Sequence, residues 1–316
     1  MFPSPAVGVR FVTDGGLETD LIFHHGIDLP DFAAFVLLDD ERGRELLRHY
    51  YRGYADIARA HDTGLRLESA TWRASADWGD RLGYDAGDLD RVNAVAVATL
   101  REVAADYRDL SATRLIGTLG PRGDGYRPGA WDARTGTDDA LSYHRAQVRS
   151  LAEAGADAVI AYTLTDAAEA IGVVRAARAV GIPVEISFTV DVDGLLASGI
   201  TLAETVRRVD AEAPPDGYFL NCAHPDHLDG AVDADTAGRI VGIRPNASRL
   251  SHAELDEAPE LDEGDPHDLA VRTVALVERL PALEVLGGCC GTDARHVAAM
   301  WARLVDDTAP DAPRQR

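Results

Sequence analysis

Short apolar runs alternate along the chain with longer stretches in which apolar residues recur every three or four positions. The runs are VRFVTD (9–14), GLRLES (64–69), RLIGTL (114–119), ADAVIAYT (156–163), IPVEISFT (182–189), GYFLNC (217–222), RIVGIRP (239–245) and LEVLGG (283–288). Several are apolar at consecutive positions, the pattern of a parallel strand covered on both faces. Between them, Arg44–His61 sets Leu47, Tyr50, Tyr54, Ile57 and Ala58 on one helical face. Asp138–Ala154, Ala167–Val180, Pro266–Leu280 and Asp293–Val305 share that period. Gly155 and Gly181 stand just ahead of strands, where helices are expected to end.

Eight strand–helix units predict a (β/α)8 TIM barrel, a single α/β domain over 1–316 with its core at about 9–305 and a flexible tail at 306–316. A doubly wound open sheet has the same local pattern. Its nucleotide-binding form needs a GxGxxG loop after the first strand, and TDGGLETDL (13–21) is not one, which also argues against a nicotinamide enzyme. The acidic segment Ser251–Asp268, rich in Pro and Gly, is expected to form an extended loop over the barrel mouth.

Composition narrows the chemistry. Hydrophobic residues make up 46% of the 316, enough for a substantial core. No apolar run approaches the roughly 18 residues needed to cross a bilayer, and Met1–Arg10 lacks a signal-peptide pattern, so a cytoplasmic protein without membrane partners is expected. The net charge of −22 disfavours nucleic acid, whose binding depends on basic groups. Every basic side chain other than histidine is arginine, and the missing lysine excludes Schiff-base and pyridoxal phosphate enzymes. The three cysteines do not suggest a disulfide framework.

In such a barrel the chemistry sits at the C-terminal strand ends. These ends are Asp14, Glu68, Gly120, Tyr162, Thr189, Cys222, Asn246 and Cys289, with Cys290 following. The barrel brings all three cysteines to one mouth. Three thiolates with a fourth position open suit a soft tetrahedral cation, zinc above all. A closed structural site needs a fourth ligand, for which His224 is a candidate. A redox pair or a tightly packed small-residue corner are the other readings of the adjacent cysteines, and the flanking glycines suit any tight turn.

NCAHP (221–225) and GGCCGT (287–292) resemble the two zinc motifs of the homocysteine S-methyltransferase family. That family includes betaine–homocysteine and S-methylmethionine–homocysteine methyltransferases and the homocysteine-binding part of cobalamin-dependent methionine synthases. TDGGLETDL resembles its first-strand motif, ISFTVDVDGLLASGITLAETV (186–206) its fifth-strand segment and IRPNAS (243–248) its seventh. The resemblance runs in order over about residues 9 to 305. It implies Zn2+ held by Cys222, Cys289 and Cys290, with Asn221 and Gly288 shaping the strand ends. The small-molecule partners it implies are a thiol acceptor, homocysteine or a relative, and an onium methyl donor of S-methylmethionine, S-adenosylmethionine or betaine type. The thiol takes the open zinc position, loses its proton and attacks the methyl group.

By the same resemblance Asp14 binds the ammonium of the substrate. Many members carry a glutamate where this chain has Tyr162; Glu18 and Glu68 are candidates for the missing carboxylate, and Asn246 is grouped with the substrate-binding residues. Trp72 and Trp78, with Tyr162, are candidates for an aromatic box around the donor cation. Arg73, and Arg122 and Arg127 in the loop GPRGDGYRPG (120–129), are candidate partners for a carboxylate. His24, His25, His224 and His227 are left outside the ligand set. Tyr162 keeps in view a related methyl or alkyl transfer or demethylation on another thiol or onium substrate; a non-catalytic zinc or small-molecule binding protein is the remaining alternative.

Overall fold

The structure, a computed structural model, describes residues 10–127 and 136–308. Eight parallel strands close into a barrel in sequence order. They are β1 (Phe11–Val12), β2 (Gly64–Glu68), β3 (Thr113–Leu119), β4 (Ala158–Leu164), β5 (Val184–Phe188), β6 (Gly217–Asn221), β7 (Ile240–Arg244) and β8 (Val285–Leu286). Phe11 pairs with Gly64 on one side and Val285 on the other, so β1 joins β8 and leaves no open edge. This closure rules out the doubly wound sheet. Each expected strand is present, most of them trimmed, while β3 begins one residue earlier and β4 ends one residue later than expected; Val9 lies outside the described residues.

The consecutive apolar positions have the expected cause. Outward side chains such as Leu65, Leu67 and Val184 pack under the helices, while Phe11, Ile116, Ile160, Phe219 and Val285 fill the barrel interior. Helices Glu41–Ala60, Gly136–Glu153, Ala167–Val180, Pro266–Val277 and Ala294–Thr308 match the expected ones. The last runs to Thr308, so the expected tail from 306 begins as helix; residues 309–316 lie outside the described part. Trp301, fully buried, donates from Nε1 to the Leu286 carbonyl at 3.2 Å and fixes this helix to β8.

The two longest helices without a signal in the pattern are Ala86–Asp106 and Leu202–Glu212. In the first, AVAVATL (94–100) alternates like a strand, and small alanines lie on exposed and buried faces alike. Tertiary packing selects the helix there, aided by a capping box between Asp85 and Asp88. Ser251–Asp268 does cover the mouth, but it is not fully extended, because His252–Glu257 is a short helix capped by Ser251. Among the described residues no helix is long and apolar enough to cross a membrane.

Candidate metal centre and substrate cavity

Cys222 is the first residue after β6, with φ at +55°. A non-glycine residue there stores on the order of 1–3 kcal/mol of strain. The surroundings hold it in place: its N–H donates to the Arg244 carbonyl at 3.1 Å, and its own carbonyl lies 3.2 Å from His252 Nε2. Cys289 and Cys290 lie in the turn after β8. Cys289 N–H donates to Pro245 at 2.8 Å, Ala247 N–H donates to Cys290 at 3.1 Å, and the Thr292 hydroxyl donates to the Cys289 carbonyl at 2.6 Å. Gly291 turns the chain at φ +75°, a conformation suited to glycine.

The three sulfurs lie within 4.8 Å of one another. Buried amides face two of them: Asn221 Nδ2 is 3.7 Å from Cys289 Sγ, and Asn246 Nδ2 is 3.6 Å from Cys222 Sγ. Asn221 is fixed by accepting from Thr163 N–H at 3.0 Å and Ser187 Oγ at 2.6 Å and by donating to Thr163 Oγ1 at 2.8 Å. Asn246 therefore lies beside the thiols rather than among the cavity-lining residues assigned to substrate. Hydrogen bonds from Cys222 and Cys290 hold the Cys289 thiol well below its ordinary pKa, with Arg244 and Asn221 assisting. The same bonds push the other two thiols up. Three convergent sulfurs, two oriented by amides, are a donor set that fits a soft metal ion. His224 is not a fourth ligand: it caps the helix Pro225–Ala231, its Nδ1 accepting from Asp226 N–H at 3.2 Å. His227 lies 3.2 Å from the Arg249 carbonyl, and His24 bridges Asp20 and Glu263 on the outside.

Beside the triad lies a cavity of about 620 Å³. Its lining includes Asp14, Glu18, Glu68, Trp72, Arg73, Tyr162 and all three cysteines. Arg244, at the end of β7, projects across its floor. One guanidinium nitrogen lies 2.7 Å from Asp14 Oδ1, another pairs with Glu68, and further N–H groups donate to the Gly15 and Gly288 carbonyls, each at 2.7 Å. Glu68 also accepts from Arg66 at 2.6 Å and from the Tyr162 hydroxyl at 2.8 Å. Thus Asp14 and Glu68 reach the cavity already paired to arginine. Burial pushes the Asp14 carboxyl above its usual range, with Arg244 opposing. Glu18 is different. It faces the cavity with no arginine of the described residues in ion-pair contact, and burial raises its pKa to about 7.

The aromatic box is not open. The Arg73 guanidinium lies 4.0 Å from the Trp72 ring centre and 3.6 Å from that of Trp78. Tyr162 points down to Glu68, with Arg244 over its ring at 4.9 Å. The protein's own cations therefore cover faces expected to receive the donor. Arg122 pairs with Asp77 at 2.7 Å and Arg127 with Asp256 at 3.3 Å, each tying neighbouring loops together; the rest of the Arg127 loop, from 128, lies outside the described residues.

Two functional residues had no sequence signal. Arg244, within IRPNAS, is turned into the cavity by the closed barrel. Tyr126, within GPRGDGYRPG, reaches Cys222 Sγ with its hydroxyl at 2.9 Å and stacks on His252 at 4.1 Å. Only the folded course of that loop brings it there.

A parallel barrel with three thiols at its C-terminal mouth, beside a cavity sized for a small molecule, defines a barrel protein with a candidate cysteine metal site. A family model described as homocysteine S-methyltransferase matches residues 11–304. The chain belongs to that family and is an S-methyltransferase. Its relatives include homocysteine S-methyltransferase 4 of Zea mays, 26% identical, with 95% of this chain and 90% of the relative covered. Another is the selenocysteine Se-methyltransferase of Brassica oleracea var. italica, 24% identical, with 93% and 88% covered. The metallated form of the homocysteine methyltransferase MmuM from Escherichia coli shares the fold at a TM-score of 0.68 and 20% identity, covering 93% of this chain and 96% of that one. Family membership implies a small thiol acceptor and a methyl donor as substrates.

Proposed function

We propose that the chain is a zinc-dependent methyltransferase that moves a methyl group from a sulfonium or quaternary ammonium donor to the sulfur of homocysteine or a closely related thiol. The observation that carries this reading is the convergence of the Cys222, Cys289 and Cys290 sulfurs within 4.8 Å beside the cavity. When bound, zinc supplies a lowered pKa for a thiol joining the three cysteines, which keeps that thiol nucleophilic at neutral pH.

The remaining work falls to the protein's own residues. Asn221 and Asn246 direct amide N–H groups at two ligand sulfurs and hold their orientation. Glu18 offers a carboxylate to a substrate ammonium, taking the place of the carboxylate absent at Tyr162. The cavity walls exclude water and align donor with acceptor. In the transfer a sulfur–carbon bond forms as the onium carbon–heteroatom bond breaks. The thiolate's negative charge and the onium's positive charge cancel, so the leaving amine or thioether departs neutral and needs no proton. Such charge cancellation is favoured in a site shielded from water.

The pairing of Arg244 with both Asp14 and Glu68 supports a second reading, in which the acceptor thiol lacks an amino group. Zinc analysis and mass spectrometry of products from a panel of thiols, incubated with S-methylmethionine, S-adenosylmethionine or betaine, test both. About one zinc per chain is expected, together with methionine formed from homocysteine. Methylation confined to thiols without an amino group selects the second reading. Protein without bound zinc, or without methylated product from any pair, overturns both.

A further inference from the structure

Four arginines approach the cavity or its floor; Arg81 is exposed, and of the three buried ones Arg73 differs from the other two. Arg66 and Arg244 are each held between two carboxylates. Arg73 is only 8% exposed and lines the cavity, yet no carboxylate of the described residues lies within 4 Å of it. Its Nη1 donates to the Gly123 carbonyl at 3.0 Å. Its Nε has no partner among the described residues. Burying a cation without a counter-charge is costly, and arginines are rarely left so.

The two tryptophans explain how the group stays in place. Their ring faces pack against the guanidinium and hold its plane. They occupy its faces and leave its edge, where the N–H groups point, for hydrogen bonding. A fixed planar fork with unfilled donors at a cavity wall is matched by a planar carboxylate. Burial also lowers the Arg73 pKa to about 10, which still leaves it cationic at neutral pH. Glu18, Asp31 and Asp124 line the same cavity and act on Arg73 through space without pairing with it, which leaves them for the cationic group of an ampholytic substrate.

We propose that Arg73 is the carboxylate-binding residue of this cavity: a substrate places its carboxylate on the free edge of the guanidinium and its cationic group toward Glu18, Asp31 and Asp124. The inference rests on the cavity being the methyl-transfer site and adds the residue that holds a substrate's carboxylate there. Trp72 and Trp78 then serve the carboxylate pole by holding Arg73, rather than caging the onium group. Because the carboxylate can belong to acceptor or donor, the test includes both.

Two matched pairs are titrated into zinc-loaded protein by calorimetry, with tryptophan emission as a second readout: homocysteine and its amide, and S-methylmethionine and its amide. In wild type the acid of at least one pair binds about tenfold or more tightly than its amide, the size expected of a charge-assisted hydrogen bond. The pair showing the preference identifies the substrate that Arg73 holds. R73Q is expected to weaken binding of that acid alone and bring the ratio near one. R73K, which keeps the charge but loses the fork, retains part of the preference and decides the matter if R73Q fails to fold. An unchanged ratio in the variants, or no acid preference in either wild-type pair, overturns the proposal. Methyl transfer is assayed separately. Acid preference without transfer removes the proposed reaction and keeps the role of Arg73; transfer with an unchanged ratio removes only the role of Arg73.

Discussion

Arg244 is the residue on which most of the buried charge in the cavity floor depends. It pairs with Asp14 and Glu68 in a region closed to water. Removing one partner of such a group leaves the others uncompensated, at about 3–5 kcal/mol. R244M is therefore expected to lower the melting temperature by roughly 10 °C, and adding E68Q to recover part of the loss, as calorimetric melts of the single and double variants would show. Glu18 gives a pH signature. Its folded pKa is raised to about 7, so the folded state holds a proton that the unfolded chain, near the ordinary 4.5, releases earlier. Between those values stability falls as pH rises. E18Q removes that loss. Its melting temperature should match wild type near pH 4.5 and exceed it above pH 7, and a constant difference across the range would contradict the assignment. C289S should lose stoichiometric zinc and methyl transfer while keeping the far-ultraviolet circular dichroism of the barrel. At this scale the sequence was legible where chemistry is tied to motif: the cysteines and Asp14 stand at strand ends by register, and Asn221 came with the family resemblance. Arg244 and Tyr126 were not, nor was the packing of Trp72 and Trp78 on Arg73, because which way a long side chain turns depends on the closed wall and loops around it.

Among elements, the β8–β1 seam is the narrowest part of the wall, with two residues in each strand. Gly287 closes it. A Cβ there would stand 2.6 Å from the Asp14 carbonyl oxygen and 2.8 Å from that of Thr13, both backbone atoms with little freedom to move. G287A is expected to cost about 1–3 kcal/mol and to weaken zinc binding, since the cysteine turn begins at the next residues. Unaltered stability and zinc affinity would show that the seam yields more readily than its packing implies. The strands were readable because both their faces are covered, which turns each into a compact apolar word. The helix Ala86–Asp106 was not, since alanine suits either periodicity and its placement is decided by what lies beneath.

For the whole molecule, the closed barrel follows from eight repeated units, whereas charge controls how it behaves. A net charge of −22 makes the chain repel itself and draws divalent cations toward it. Raising salt from about 0.01 to about 0.15 M shortens the screening length from about 30 to about 8 Å. The melting temperature should rise over that range and the association rate of zinc should fall; a falling melting temperature would mean that the surface ion pairs outweigh the repulsion. The cysteines add a mechanical consequence. Cys222 follows β6, Cys289 and Cys290 follow β8, and the latter adjoins the two-residue seam. An ion shared by these thiolates is a cross-link spanning the strand between them, and it closes a long loop of the chain. Backbone amides of Thr13 and Gly287, bonded across that wall, should then exchange with solvent deuterium more slowly once zinc is added. The nucleophile's activator would double as the clasp of the barrel.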